Sequence, residues 1–352
     1  MAMAVDLGLK GHTINLFDVV GFDRNIKDIQ KRGGIEATNR IVGFYKPNKV
    51  TTSAQEAVSG ADIIMVTARA FGHQELLKAV IQYLNRGQII LVWTSYFSSL
   101  RFYNFVRTKG PQDIILAESN TLPYFVKIVA PATVEVYNKK SLMKIAAMPS
   151  QETGRVMDAV KQLYPQCVAA ENVLETSLDN PNIPVHVPPA LLNTGWWERT
   201  GGDVSFYGDL ITSKVAKVID AVDEERVAVG SALGVKLTPI TEILAATYGV
   251  TGKTTYEAFQ NLSSHSAWRP RVSLEDFASK AAFGEDILYG FVPISSLGDQ
   301  LDVDTKTIDS LINLASLITG RSYWTEGATA EKLGLAGMSV PQIIKYVTTG
   351  RR

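Results

Sequence analysis

Short apolar segments rich in β-branched residues alternate with helical patterns through the first third of the chain. The strands predicted from these segments span 12–18, 61–68, 88–94 and 113–119, and the predicted helices span 23–32, 74–84 and 98–107. Alternation with connections of this length is typical of right-handed βαβ crossovers, which build a mostly parallel sheet with helices on both faces. The apolar runs at 61–68 and 88–94 lack period-two alternation, so we expect two central strands that are buried on both faces. The pattern predicts a doubly wound α/β domain.

The pattern changes along the second half of the chain. Further strands are predicted at 132–138 and 142–149, and a helix at 151–164 is followed by Pro165. Beyond residue 170 almost every pattern is helical, as at 214–234 and at 305–320, where Gly320 can end the helix. Because single cores stop growing near roughly 250–300 residues, we predict two domains in the 352 residues. The predicted boundary gives an α/β domain at 1–168 and an all-α domain at 169–352.

The start of the chain indicates which doubly wound domain this is. A dinucleotide-binding domain of the Rossmann type opens with a strand, a G-x-G-x-x-G turn and a helix that holds the pyrophosphate. Residues 2–10 have the pattern of that helix, Gly11 ends it, and 12–18 supplies the second strand. We therefore expect that the first strand and the glycine turn are missing upstream of Met1.

The end of the predicted second strand suggests the cofactor. Asp18 stands where an acidic residue binds the adenosine ribose 2′-hydroxyl, which favours NAD. Arg24 is near enough in sequence to bind a 2′-phosphate, so NADP stays open, and a solvated Asp18 without a ligand is the alternative. Val66, Thr67 and Ala68, at the end of the strand at 61–68, are expected beside the cofactor.

Composition and charge exclude several functional classes. Basic and acidic side chains number 35 each, so no global field favours nucleic acid or an anionic membrane. The apolar runs are too short to span a bilayer and no basic leader precedes them, so we expect a cytoplasmic protein without a membrane partner. The lone Cys167 and the four histidines lack metal-ligand spacing. Metal catalysis is not expected, and a small-molecule substrate is.

Three segments of the second half carry a resemblance to a known family. They read YPQCVAAENVLETSLDNPNIPVHVPPALLNTG at 164–195, GEDILYGFVPISSLG at 284–298 and EGATAEKLGLAG at 326–337. These segments resemble the opine dehydrogenases, most closely the bacterial N-(1-D-carboxylethyl)-L-norvaline dehydrogenases and more distantly the octopine and nopaline dehydrogenases. The resemblance implies NAD(P)H-dependent reduction of the imine that a 2-keto acid forms with an amino acid, and weakly a homodimer.

The resemblance also implies the catalytic residues. His186 follows the Asn180-x-Asn182 segment as the family's histidine does, and Asp286, beside Glu285, matches the aspartate that orients it. Histidine can donate a proton and recover it at neutral pH, and a carboxylate on the other ring nitrogen fixes its tautomer. A histidine held in a proline-rich loop and an aspartate that caps a helix are the structural alternatives.

Two features depart from the family. The first is the absence of the glycine turn. The second is the loop WTSYFSSL at 93–100, which has bulky side chains where relatives carry glycine. Because this loop is expected near the nicotinamide, its side chains are predicted to narrow the cleft or to change the choice of keto acid. Val187 in place of a proline is a minor departure.

Further side chains are candidates by residue type. Asn182, Asn193, Glu118 and Trp268 are candidates for substrate contact, although Glu118 and Asn193 are equally compatible with structural roles. Arginines are candidates for binding carboxylate, and aromatic residues for lining a pocket, although most aromatics are expected in the core. His73 and His265 are interpreted as surface or loop residues, and the charged stretch at 209–226 as a solvated helix face. The arginines are Arg199, Arg269 and Arg271, and the other aromatics are Trp196, Trp197, Tyr207 and Tyr289.

Two other functions stay open at the level of sequence. A simple keto-acid or ketopantoate-type reductase has the same sheet-plus-helices architecture, but such enzymes commonly use a lysine in the helical domain, and the histidine-centred match of this chain argues against that function. A non-catalytic binding protein on a dinucleotide fold is the alternative from another class, motivated by the missing glycine turn, since fold alone does not distinguish it from an enzyme.

Overall fold

The first half of the chain builds three β-sheets and the helices that cover them. The computed structural model describes residues 1–201, 204–264 and 278–352. The elements of this half are α1 (Ala2–Leu9), β1 (Asn15–Phe17), α2 (Arg24–Arg32), β2 (Ile35–Asn39), β3 (Gly43–Tyr45), β4 (Lys49–Thr51), α3 (Ala54–Val58), β5 (Ile63–Val66), α4 (His73–Val80), β6 (Ile89–Trp93), α5 (Ser98–Lys109), β7 (Ile115–Ser119), β8 (Tyr124–Ala130), β9 (Thr133–Lys139), β10 (Met143–Met148), α6 (Thr153–Leu163) and β11 (Cys167–Ala169).

The largest sheet has the strand order β11-β10-β7-β6-β5. Strands β5, β6 and β7 are parallel, β10 runs antiparallel to β7, and β11 is parallel to β10. Strands β1 and β4 pair in parallel as a two-stranded sheet, and β3-β2-β9-β8 form a third. The predicted α/β class with Rossmann-type parallel strands is confirmed, although the strands divide among three sheets.

Strand β5 corrects one prediction. Its side chains pack on two sides, because Ile63 and Met65 contact one hydrophobic cluster while Ile64 and Val66 contact another. Yet β5 is the outer strand of the five-stranded sheet, and only Val66 is fully buried. The expectation of a central strand at 61–68 was therefore wrong. An apolar run without alternation indicates that both faces of a strand are packed, but it does not show whether the strand has a neighbour on each side. The run at 88–94 does form a central strand, and every residue of β6 is buried.

The second half is helical, as the sequence predicts. Gly320 adopts a left-handed conformation with φ of 70° at the end of α16, where a side chain would be strained. Among the helices in the described ranges, none combines the length and apolarity needed to cross a bilayer. The elements are α7 (Val173–Leu178), α8 (Asn182–Leu192), α9 (Thr194–Thr200), α10 (Phe206–Asp209), α11 (Ser213–Ala232), α12 (Ile240–Tyr248), α13 (Thr255–Ser264), the π-helical α14 (Ala278–Phe291), α15 (Val292–Leu301), α16 (Lys306–Thr319), α17 (Tyr323–Glu326) and α18 (Val340–Thr349).

A charged network at the start of the helical half is buried, and it corrects a second prediction. Arg226 of α11 is fully buried, and its guanidinium contacts Asp179 at 2.9 Å and Asp223 at 2.7 Å. It also donates to the backbone carbonyls of Leu178 and Thr238. The stretch at 209–226 was interpreted as a solvated face, but its Arg226 and Asp223 face inward because these partners satisfy both charges.

Candidate active site

His186 lies on α8, a short helix with an unusual composition. The side chain of Asn180 accepts a hydrogen bond from the backbone N–H of Asn182 at 3.1 Å, which satisfies one of the donors at the start of the helix. Pro188 and Pro189 lie inside α8 and donate no backbone hydrogen bonds. Packing holds this helix in place, because nearly all of it is buried, and His186 itself is 7% exposed.

Asp286 reaches His186 from α14, one hundred residues further along the chain. Its Oδ2 lies 3.0 Å from Nδ1 of His186, and the aspartate is fully buried. A carboxylate only accepts hydrogen bonds, so Nδ1 carries the proton in this contact. The structure thus brings together the two residues that the sequence singled out for catalysis.

The loop between β6 and α5 contributes a third group to this pair. The hydroxyl of Tyr96 donates to Oδ1 of Asp286 at 2.6 Å, and Asn182 Nδ2 lies 3.4 Å from the same hydroxyl. Thr94, Tyr96 and Phe97 all have positive φ, at 70°, 48° and 56°. Residues other than glycine rarely adopt a positive φ, because this backbone conformation costs energy. Such strained residues are concentrated at functional sites. The bulky loop that departs from the family pattern therefore bonds directly to Asp286.

Tyr207 of α10 covers the other ring nitrogen of His186. Its hydroxyl lies 3.3 Å from Nε2, and its ring stacks on Phe259 at 6.1 Å with the planes 6° apart. Burial, and then the charge of Asp286, raise the pKa of Tyr207, so the phenol stays protonated. Tyr207 entered the sequence analysis only as a pocket aromatic, and Tyr96 only as bulk. No spacing signal links either of them to His186, because the contacts join distant elements.

Glu285, beside Asp286, contacts the segment that follows β5. Its carboxylate lies 2.9 Å from Arg69 Nη1 and accepts the backbone N–H of Ala70. Burial raises the pKa of Glu285 to about 7, against the opposing charge of Arg69. This buried contact joins the α14 segment that carries Asp286 to the segment after Val66, Thr67 and Ala68.

The expected cofactor residues lie at the carboxyl ends of β1 and β5. Phe17, just before Asp18, packs against the hydrophobic cluster that contains Val66, so the two strand ends approach each other. Asp18 is half-buried, and burial followed by the charge of Asp23 raises its pKa, while the N–H of Val19 opposes the rise. Thr67 and Arg24 are exposed. An available carboxylate with an open loop beside it fits the ribose of a dinucleotide.

Two of the polar candidates for substrate contact form hydrogen bonds inside the protein. Glu118 is fully buried and accepts hydrogen bonds from Ser99, Thr176 and Ser177, which fastens α5 to α7. Asn193 donates to the carbonyls of Pro189 and Leu210 and thereby ends α8. For Glu118 and Asn193 this geometry favours the structural alternative.

His73 corrects another interpretation. It is fully buried between Ser98 and the Ala68 carbonyl, each at 2.9 Å, so its interpretation as a surface or loop residue was wrong. Burial lowers its pKa to about 3, and the ring is neutral. The sequence does not show this burial, because only folding brings Ser98 and the Ala68 carbonyl to the two ring nitrogens.

The remaining candidates are divided between core, surface and undescribed sequence. Trp197 is fully buried in the main core, whereas Trp196 and Arg199 are exposed. Tyr289 lies under the guanidinium of Arg101 at 3.8 Å. The candidates Trp268, Arg269, Arg271 and His265 lie outside the described residues.

Parallel strands joined to a helical domain, with a histidine and a carboxylate paired where the two meet, define a two-domain dehydrogenase. The model of the NAD/NADP octopine/nopaline dehydrogenase α-helical domain matches residues 169–319. An opine dehydrogenase of Arthrobacter sp. (strain 1C) is 31% identical over 344 residues, which cover 97% of this chain and 94% of that protein. The chain belongs to the opine dehydrogenase family, whose members are oxidoreductases acting on CH–NH.

Solved structures show the same fold. An octopine dehydrogenase with NADH and L-arginine superposes with a TM-score of 0.74 at 18% identity, covering 99% of this chain and 95% of that one. A yersinopine dehydrogenase with NADP⁺ bound superposes with a TM-score of 0.68 at 13% identity, covering 99% of this chain and 94% of that one. At these identities the match concerns architecture, and the chemistry has to be argued from the side chains.

Proposed function

We propose that this protein reductively condenses a 2-keto acid with the amino group of an amino acid, with His186 as the acid–base catalyst. The observation that carries the proposal is the buried contact of His186 with Asp286 at 3.0 Å, in a member of the opine dehydrogenase family. Family membership favours this reaction over the ketopantoate-type reduction. A bound nicotinamide dinucleotide supplies the hydride.

The proposed role of His186 follows from the proton balance of the reaction. Condensation of a carbonyl with an amine releases water, and the departing oxygen needs a proton. Protonated His186 gives that proton from Nε2, while Asp286 on Nδ1 stabilises the charged ring. Hydride addition to the imine carbon then gives the secondary amine, and the ring recovers a proton from solvent. Tyr207, 3.3 Å from Nε2, holds the ring in plane for this exchange.

The test of this function is NADH oxidation with pyruvate and a panel of amino acids, in the wild type and in His186→Ala. We expect oxidation that requires both substrates and that falls by at least about 100-fold in the variant, the usual contribution of a positioned acid–base group. Oxidation with the keto acid alone favours the ketopantoate-type reductase. No oxidation with any combination favours a non-catalytic binding protein.

NAD is the proposed cofactor, because the carboxylates of Asp18 and Asp23 together disfavour a 2′-phosphate. The similar octopine dehydrogenase holds NADH, while the yersinopine dehydrogenase holds NADP⁺, so the family admits both. We expect Asp18→Ala to raise KM for NADH by roughly 10-fold, the value of a hydrogen bond to a charged group. Its KM for NADPH should fall or stay unchanged. Equal effects on the two cofactors would contradict the assignment.

The partners are then small molecules, namely a 2-keto acid and an amino acid, with Asn182 and Trp268 as proposed substrate contacts. Asn182 is supported by its place between α8 and the Tyr96 hydroxyl. We further propose a cytoplasmic homodimer. Sedimentation equilibrium measures the assembly, and a monomer mass at micromolar concentration would exclude the dimer.

A further inference from the structure

A buried lysine contacts the edge of the five-stranded sheet from which Tyr96 reaches the catalytic pair. Lys140 follows β9 and is 6% exposed. Its ammonium donates a hydrogen bond to the hydroxyl of Thr121 and lies 5.4 Å from the ring centroid of Tyr248. In the part of the chain that the structure describes, no carboxylate lies within ion-pair distance of this ammonium. A buried cation without a counter-charge is costly, so its presence calls for a function.

The position of Thr121 places the ammonium at the carboxyl edge of the sheet. Thr121 follows β7, and Tyr96 follows β6, the parallel neighbour of β7. In doubly wound sheets ligands bind outside this edge. Tyr96 contacts Asp286, and Asn120, just before Thr121, donates to the Asp179 carbonyl in the segment that leads into α8. Lys140 and Asp286 therefore each contact a residue that follows a strand at this edge.

The helical domain closes over Lys140 from the other side. Ser141 donates to the carbonyls of Ala246 and Thr247, which fixes the end of α12 and with it Tyr248 above the ammonium. Tyr248 and Tyr207 both pack against the hydrophobic cluster that contains Val185 and Phe259. Tyr207 in turn contacts Nε2 of His186. The ammonium and the catalytic imidazole therefore each contact a tyrosine that packs on this one cluster.

We propose that Lys140 is the cation that binds the carboxylate of the 2-keto acid. The inference rests on the proposed function and adds to it a specific substrate contact. A 2-keto acid presents a carboxylate next to the carbonyl that reacts, so its binding requires a positive group near the acid–base catalyst, and a carboxylate would satisfy the ammonium. The Thr121 hydroxyl orients the amine by accepting its hydrogen bond.

The charge of Lys140 fits a site that is completed by its ligand. Burial lowers the pKa of Lys140 to about 7, so the free protein holds the amine only partly charged at neutral pH. An anion that arrives beside it favours the charged form. The ligand thereby supplies the counter-charge that the protein does not.

The test compares Lys140→Met and Lys140→Arg with Lys139→Met as a matched control. Lys139 is the preceding residue, but it is partly exposed and its ammonium lies 3.3 Å from Asp6 of α1. We expect Lys140→Met to raise KM for pyruvate by roughly 10- to 100-fold, as the loss of a charged hydrogen bond does. KM for the amino acid and for NADH should stay within about threefold, since neither contact is removed. Lys140→Arg should retain part of the pyruvate affinity, and Lys139→Met all of it.

A binding measurement separates this inference from the proposed function. Oxamate, an unreactive carboxylate analogue of pyruvate, is titrated calorimetrically into each variant in the presence of NADH. Oxamate binding that is lost only in Lys140→Met supports the carboxylate site even if the wild type does not turn over. Unchanged oxamate affinity in Lys140→Met overturns the proposal, as does an equal loss in Lys139→Met. A rise in KM for the amino acid alone also overturns it.

Discussion

His186 is constrained on both ring nitrogens, which leaves its ring one orientation. Asp286 accepts from Nδ1, and Tyr207 faces Nε2 from the opposite side. Asp286 has in turn a second donor in Tyr96, so its carboxylate cannot rotate away from the ring without losing a hydrogen bond. The pair therefore holds one tautomer before any substrate binds, and a preorganised acid–base group loses little energy to reorientation during the reaction.

Replacing the carboxylate by an amide tests this orientation. In Asp286→Asn the amide can donate to Nδ1, which favours the tautomer with the proton on Nε2 and removes the negative charge. We expect kcat to fall by roughly 10³- to 10⁴-fold with little change in KM, as for an aspartate that orients a catalytic histidine. Steady-state kinetics with both substrates measures the effect.

Tyr96→Phe is the graded comparison for that variant. It removes one hydrogen bond to Asp286 but leaves the carboxylate on His186, so kcat should fall only by about 10-fold. If both variants retained activity within about threefold of the wild type, orientation through Asp286 would not contribute to the reaction.

Among the elements, the junction between α7 and α8 depends on one buried cation. Arg226 balances Asp179 and Asp223, and Asp179 also contacts Lys144 of β10. Removing one partner of a buried ionic network leaves the others uncompensated. The network thus fixes the segment from which His186 extends.

Arg226→Met should lower the free energy of unfolding by about 3–5 kcal/mol. Urea denaturation measures it, with Arg155→Met as control, because Arg155 forms only an exposed pair with Glu152 and its loss should cost about 0–1 kcal/mol. Similar small losses in both variants would show that the buried network does not stabilise the junction.

Glu285 gives the contact between α14 and the segment after β5 a pH dependence. Its pKa is about 7 in the folded protein, above the ordinary value of 4.5. Between these values the folded state binds more protons than the unfolded state, so the free energy of unfolding falls as pH rises from about 4.5 to about 7. Above that range the contribution is constant, and the charged form pairs with Arg69.

Glu285→Gln removes this dependence because the amide does not titrate. Relative to the variant, the wild type should lose up to roughly 3 kcal/mol of stability between pH 4.5 and 7. Urea denaturation of both proteins at pH 4.5, 6 and 8 measures the difference. Parallel stability curves for the two proteins would show that Glu285 titrates as it does in the unfolded chain.

The sequence predicted those helices and strands that are buried completely or along one face. The apolar run of β6 and the periodic helix α16 follow directly from sequence. Strands β2, β3 and β4 were not predicted, since they are short and most of their residues are not fully buried. Strand β8 was also missed, although four of the five residues from Val126 to Ala130 are apolar, and all five are exposed. In the site, resemblance pointed to His186 and Asp286, but Lys140 and Tyr96 become notable only through contacts between distant elements.

At the scale of the whole molecule, one hydrophobic cluster is built by both halves. This cluster, the largest in the described residues, contains Phe97, Leu100 and Tyr103 from the sheet half together with Trp197 and Tyr346 from the helical half. Hydrogen bonds also join the two halves, including those from α7 to Glu118 of β7. Domains joined by a large apolar interface are not expected to move or unfold independently.

We therefore expect one cooperative unfolding transition for the full chain. Pulsed hydrogen exchange along a urea series measures the protection of β6 in the sheet half and of α11 in the helical half within the same sample. We expect both elements to lose protection at one urea midpoint. Phe97→Ala removes a fully buried ring from the shared cluster and should shift both midpoints together, by about 3–5 kcal/mol of stability. Two separate midpoints in the wild type, or a shift confined to one half in the variant, would mean that the shared core does not couple the halves. With such coupling, a destabilising mutation in the α8–α14 interface would also destabilise the sheet half.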